Sequence, residues 1–140
     1  NEYQNISVLD ISESAIKRTK DRLGEKSKKV DWIVCDINNF APKKKYALWH
    51  DRAVFHFLTS DIEINRYVKN VKQNSENFIV GTFSTSGPKK CSGLEITQYD
   101  KSLLSKLFEE FMAFKKVEHI NHITPFETTQ NFIFCSFSAK

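Results

Sequence analysis

An α/β fold with a mostly parallel sheet is expected from three features of this 140-residue sequence. Short apolar runs alternate with segments of helical period, three successive runs end at an aspartate, and the chain closes on two long apolar runs joined by a loop. The last feature signals an antiparallel hairpin. A three-layer sandwich in one domain over residues 1–140 is the expected architecture.

The elements follow in order. Ile6, Ser7, Val8 and Leu9 form the first strand, which ends at Asp10. Ser12 is placed to cap a helix carrying Ala15, Ile16, Thr19 and Leu23, which Gly24 closes. Residues 30–35 form a second strand ending at Asp36, and residues 46–50 a third, followed directly by Asp51 and Arg52. A mostly apolar stretch spans 53–58. Thr59 or Ser60 then caps a helix over 61–73, whose buried positions are expected to be Ile62, Ile64, Tyr67, Val68 and Val71. Residues 78–83 are a fourth strand and 84–97 a long loop. Asp100 caps a helix to about residue 110 that uses Leu103, Leu104, Leu107 and Phe108. Runs at 114–123 and 131–137 make the closing hairpin, and the twelve phenylalanines fall mostly in the expected strands and helices, where core packing explains them.

Composition narrows the function. With 40% hydrophobic and 27% charged residues and only 4 Gly and 3 Pro, the chain is globular, not disordered, collagenous or repetitive. The net charge of +4 is mild and lies partly in two short runs (Lys26, Lys28, Lys29 and Lys43, Lys44, Lys45), so no nucleic-acid partner is expected. No apolar run approaches the roughly 20 residues of a membrane helix, and no secretory leader is legible. A cytoplasmic location is therefore expected. Cys35, Cys91 and Cys135 are scattered, which suggests neither a disulfide framework nor a zinc site. His119 and His122 are three apart on an expected strand and so face opposite ways, which argues against a shared metal.

The chemistry lies in the acids at the strand ends. In open α/β sheets, ligands bind beyond the carboxyl ends of the strands. A carboxylate there can accept both hydroxyls of a ribose, and a second acid one strand over can accept from an adenine amino group. Each acid alone could equally be a turn former or helix cap. Asp10 and Asp36, on successive strand–helix units, together favour a nucleoside-containing cofactor.

Residues 8–12, 32–37 and 46–58 (YALWHDRAVFHFL), above all the run from Trp49 to Leu58, resemble class I S-adenosylmethionine-dependent methyltransferases, most nearly a bacterial group similar to the trans-aconitate methyltransferases. The likeness covers essentially the whole chain; the stretches around Cys91-Ser92-Gly93 and residues 122–126 agree with it. It implies a Rossmann-like fold with S-adenosylmethionine as cofactor and a small-molecule methyl acceptor. By the family pattern Asp10, with Ile11 beside it, holds the ribose hydroxyls, and Asp36 and Ile37 flank the adenine. Asp51 and Arg52 lie near the methionyl end, and His56 stands at the substrate pocket as a candidate general base. Cys91 would be a lid residue or a reactive thiol.

Two departures accompany the resemblance. Ala47 replaces a usual aspartate, and Gly24, Gly81, Gly87 and Gly93 form no glycine-rich cofactor turn. The first family strand is thus expected to be missing. Asn1-Glu2-Tyr3 reads as chain interior, so a fragment of a longer methyltransferase is expected, or else a homo-oligomer whose copies close the open sheet edges. Two other functions fit some of these features: a nicotinamide-dependent oxidoreductase, because Asp10 suits either ribose, and a non-catalytic truncated domain that self-associates.

Overall fold

The computed structural model describes residues 3–140; Asn1 and Glu2, part of the segment expected to be chain interior, lie outside them. Two compact units are formed, Asn1–Ala41 and Pro42–Lys140.

In the first unit, strand β1 (Ile6–Asp10) runs parallel to β2 (Val30–Val34), with Ile6 opposite Val30 and Asp10 opposite Val34. Helix α1 (Glu13–Leu23) crosses between them. Its start is fixed by the Ser12 hydroxyl, which accepts from the Ala15 amide at 3.2 Å, and its end by Gly24 at φ 55°. Ile16 is its buried anchor. A 3-10 turn, Gly24–Lys29, joins helix to strand and was not foreseen as an element. The Trp32 indole N–H donates to the Ser27 carbonyl at 2.9 Å and ties this turn to β2.

The second unit is built on a four-stranded sheet of order β3-β4-β8-β7. Strands β3 (Tyr46–Arg52) and β4 (Ser75–Phe83) are parallel; β8 (Thr129–Ala139) is antiparallel to β4 and to β7 (Met112–Ile123). Four strands are longer than expected: β3 runs on through Asp51 and Arg52, β4 starts three residues early, β7 starts two residues early, and β8 gains two residues at each end. Helix α2 (Asp61–Asn74) begins in a capping box, with the Ser60 hydroxyl bonded to the Glu63 amide and the Glu63 carboxylate returning to the Ser60 amide. Helix α3 (Lys101–Phe108) is capped by Asp100.

Both helices pack on one face of this sheet. Tyr67 of α2 lies 6.2 Å from Phe78, and Phe108 of α3 lies 4.8 Å from Phe78 and 5.4 Å from Phe137, centroid to centroid. Phe78 and Phe137 are directly paired across β4 and β8, so the helices bridge the two strands. Two expected core positions are instead exposed, Ile62 at 73% and Leu103 at 48%. Ile62 stands five residues from Tyr67, about 140° round the helix, and Leu103 is about 100° from buried Leu104.

The expected loop 84–97 contains a two-residue hairpin, β5 (Lys90–Cys91) and β6 (Leu94–Glu95). Ser92 and Gly93 turn it with φ of 52° and 80°, the doubly positive pair that suits a tight hairpin. Among the described residues no helix is long and apolar enough to cross a membrane.

Gly81 is the tight point of the sheet. It pairs with Phe134, whose ring lies over it, and a Cβ on residue 81 would collide with Phe134 Cε1. Gly81→Ala is expected to destabilise the fold by about 1–3 kcal/mol through overpacking, read as a lower urea midpoint at unchanged m-value.

Candidate functional site

Asp10 and Asp36 share the carboxyl end of the first unit's parallel pair. Asp10 closes β1, and its carbonyl accepts from the Cys35 amide at 3.1 Å, which ties the two strand ends together. Each acid also serves its own turn. Asp10 Oδ1 accepts from the Ser12 amide at 2.8 Å, and Asp36 Oδ1 accepts from the Asn38 amide at 2.9 Å, capping the 3-10 turn Ile37–Asn39. The turn-former and ligand-acceptor readings are therefore compatible. One oxygen of each carboxylate is spent locally, and Oδ2 accepts no hydrogen bond among the described residues. Ile11, next to Asp10, is 69% exposed, and Ile37 is half-buried.

The third strand-end acid behaves differently. Asp51 is only 5% exposed, and its oxygens are turned into the second unit. Oδ1 accepts from the Val54 amide at 3.0 Å and from the Phe55 amide at 3.4 Å, and Oδ2 accepts from the Tyr67 hydroxyl at 2.7 Å. Burial pushes the Asp51 carboxyl up, while these donors and nearby His50 pull it back; burial and the adjacent carboxylate hold the Tyr67 phenol well above its ordinary range. Asp51, expected near the methionyl end of the cofactor, thus has both carboxylate oxygens bonded inside the second unit. Arg52, next along β3, is exposed.

After Arg52 the backbone turns sharply. Ala53 takes φ 68°, rare for a side-chain-bearing residue, and its amide donates to the Gly81 carbonyl at 2.8 Å. A 3-10 turn, Phe55–Phe57, then carries His56. The imidazole is fully buried (0% exposed) and stacks on Phe83, with centroids 4.4 Å apart and planes 13° apart. Among the described residues neither ring nitrogen has a hydrogen-bond partner, and burial lowers its pKa to about 4. The Thr97 amide donates to the His56 carbonyl at 2.8 Å and the Thr97 hydroxyl to the Leu58 carbonyl at 3.2 Å, strapping the end of the 84–97 segment to this turn.

The residues singled out from the sequence thus fall into two groups. Asp10, Ile11, Asp36 and Ile37 gather at one end of the first unit's sheet, and Asp51, Arg52 and His56 share one turn of the second. Tyr67 was expected only as a core residue. A signal was available, because a buried tyrosine hydroxyl requires a polar partner.

The buried histidine sets a pH dependence. Its folded pKa lies below the ordinary 6.5, so the unfolded chain takes up a proton that the folded chain refuses. The associated stability is complete above pH 6.5 and is lost as pH falls through about 4. Melting temperatures across that window should therefore fall less steeply for His56→Gln than for the natural sequence.

Residues 2–91 match the family model described as Nodulation protein S (NodS). The chain is 43% identical over 54 residues to malonyl-[acyl-carrier protein] O-methyltransferase 2 of Ilyobacter polytropus, covering 39% of this chain and 20% of that protein. It is 28% identical over 68 residues to nodulation protein S of Bradyrhizobium diazoefficiens, covering 49% of this chain and 32% of the relative. The chain thus spans a third or less of the length of the curated relatives it matches. Among solved structures it is similar to the N-methyltransferase NodS from Bradyrhizobium japonicum WM9, with a TM-score of 0.73 at 13% identity over 96% of this chain and 73% of that one. The complex of that enzyme with S-adenosyl-L-homocysteine gives a TM-score of 0.69 at 13% identity, over 96% of this chain and 66% of that one. At such identity the likeness is one of fold, and the fold is the Rossmann-like one of methyltransferases. With more than half of its length matched by the family model, the chain belongs to the Nodulation protein S (NodS) family.

Proposed function

We propose that these residues form part of a single S-adenosylmethionine-dependent methyltransferase domain acting on a small molecule. The family match over residues 2–91 carries this reading, because that span includes both strand-end acids and the 51–58 turn. S-adenosyl-L-homocysteine, bound in the Bradyrhizobium enzyme, contains a ribose and an adenine, and the first unit offers groups suited to both. Asp10 Oδ2 accepts from the ribose hydroxyls and Asp36 Oδ2 from the adenine amino group, with Ile11 and Ile37 giving apolar cover. The narrower likeness to trans-aconitate methyltransferases rests chiefly on residues 49–58 and forms part of this proposal.

When bound, the cofactor supplies an electrophilic methyl group on a sulfonium, so the protein's main task is alignment. Arg52 offers a planar, always charged fork suited to a carboxylate on cofactor or substrate. His56 is a neutral imidazole at pH 7 with neither ring nitrogen bonded among the described residues, and burial, which lowers its pKa to about 4, makes it a weak base while the ring stays covered. Full burial means the ring must be uncovered before it can act. Cys91, in the β5–β6 hairpin, belongs on this reading to the cover over the substrate entrance.

Asp36 and the terminal hairpin count against a nicotinamide-dependent oxidoreductase. Self-association is a second reading with an observation behind it. Leu48 is 44% exposed on β3, an edge strand of its sheet, where a second copy could pair. Size-exclusion chromatography with and without cofactor separates the two.

In the full natural chain, Asp10→Ala is expected to weaken S-adenosylhomocysteine binding about 10- to 100-fold by calorimetry, from the loss of about 1.5–3 kcal/mol of charge-assisted bonds. Unchanged affinity with unchanged circular dichroism would remove Asp10 from the site. Arg52→Lys should lower the methyl-transfer rate, because a point charge cannot replace the fork. Full activity in that variant would reduce Arg52 to a surface charge.

A further inference from the structure

We propose that Tyr67 is a positioning residue, which, through the Asp51 carboxylate, makes helix α2 the support that holds the 51–57 turn and hence the His56 ring. The significance of that ring as a base rests on the methyltransferase reading; the mechanical claim does not.

The hydrogen bonds have only one workable direction. The Trp49 indole bonds to the Tyr67 hydroxyl, and an indole N–H can only donate. The phenol oxygen is therefore the acceptor there, and its own proton is directed at Asp51 Oδ2, 2.7 Å away. Trp49 and Asp51 are two residues apart on β3, so both face α2 from one side of the strand. Indole, phenol and carboxylate thus form a buried relay from strand to helix and back.

The other carboxylate oxygen faces the turn. Asp51 Oδ1 accepts from the Val54 and Phe55 amides, which immediately follow the left-handed Ala53. A conformation so sparsely populated persists where its neighbours are tied on both sides. Here the Ala53 amide is tied to Gly81 and the next two amides to Asp51. The next residue is His56, whose ring position on Phe83 follows from the path of this backbone. Without the Tyr67 hydroxyl, the carboxyl group loses a donor in a buried place. Its best response is to rotate toward other donors or water, releasing the two amides that fix the turn.

The test reads the His56 ring by NMR, using the upfield ring-current displacement that stacking on Phe83 gives its ring protons and assigning the signals with His56→Gln. Tyr67→Phe should lose a large part of that displacement while the melting transition stays cooperative. Asp51→Asn should produce the same change, and the double variant should go no further than either single one, because one relay is broken in every case. Trp49→Phe, which leaves the Tyr67–Asp51 bond in place, should give a smaller change in the same direction and serves if Tyr67→Phe fails to fold. A lowered melting temperature with the His56 signals unmoved, or additive effects in the double variant, would overturn the proposal. So would an Asp51→Asn variant that loses S-adenosylhomocysteine affinity without moving His56, since Asp51 would then be a ligand contact. The ring signals need no cofactor, so failure of the methyltransferase reading would show separately, as an absence of cofactor binding in the full natural chain.

Discussion

A carboxylate can be buried only where donors replace its water, and Asp51 shows what that requirement imposes on a fold. Three donors meet it, two from the backbone just downstream and one from a helix sixteen residues away. Meeting them fixes the end of β3, the strained residue after it and the seating of α2 in a single arrangement. Much of the aromatic core is then placed by the same choice. Tyr67 lies tilted against Phe55, centroids 4.9 Å apart; Phe55 adjoins Tyr99 and Phe108, and Phe108 leads on to Phe78 and Phe137. A polar interaction thus sets the register of an apolar cluster, one way in which a buried charge contributes specificity where it contributes little net stability.

The two units treat the strand-end acid in opposite ways. In the first, Asp10 and Asp36 each give one oxygen to a local turn and keep the other available. In the second, Asp51 gives both away. From the sequence the three are equivalent: each ends an apolar run, and each is a reasonable cap. What separates them is a partner that no local pattern reveals, since Tyr67 occupies an ordinary buried position of an amphipathic helix. Local chemistry was legible to the extent that it is local. The caps at Ser12, Ser60 and Asp100, the closing Gly24 and the strand cores all follow from short-range patterning. The 3-10 turn Gly24–Lys29 has no apolar period to betray it, and the hairpin at Cys91 has strands of two residues, too short for alternation to register. Ile62 and Leu103 mark another limit, because a helical stripe gives the buried face but not where that face ends.

The order of strands has a consequence for assembly in time. In the second unit β8 lies between β4 and β7, so the strand last in chain order in that sheet is an interior member of it. Its pairing with β7 crosses a short loop and can form as a local ribbon; its pairing with β4 spans about fifty residues and carries the greater loop-closure entropy. Until that second zipper closes, one edge of β4 is open, and Phe78, Val80 and Thr82 lack Phe137, Cys135 and Ile133 opposite them. A ribosome would therefore release most of this unit before its sheet could be completed, leaving a window in which the half-built edge of β4 is open to foreign strands and to chaperones.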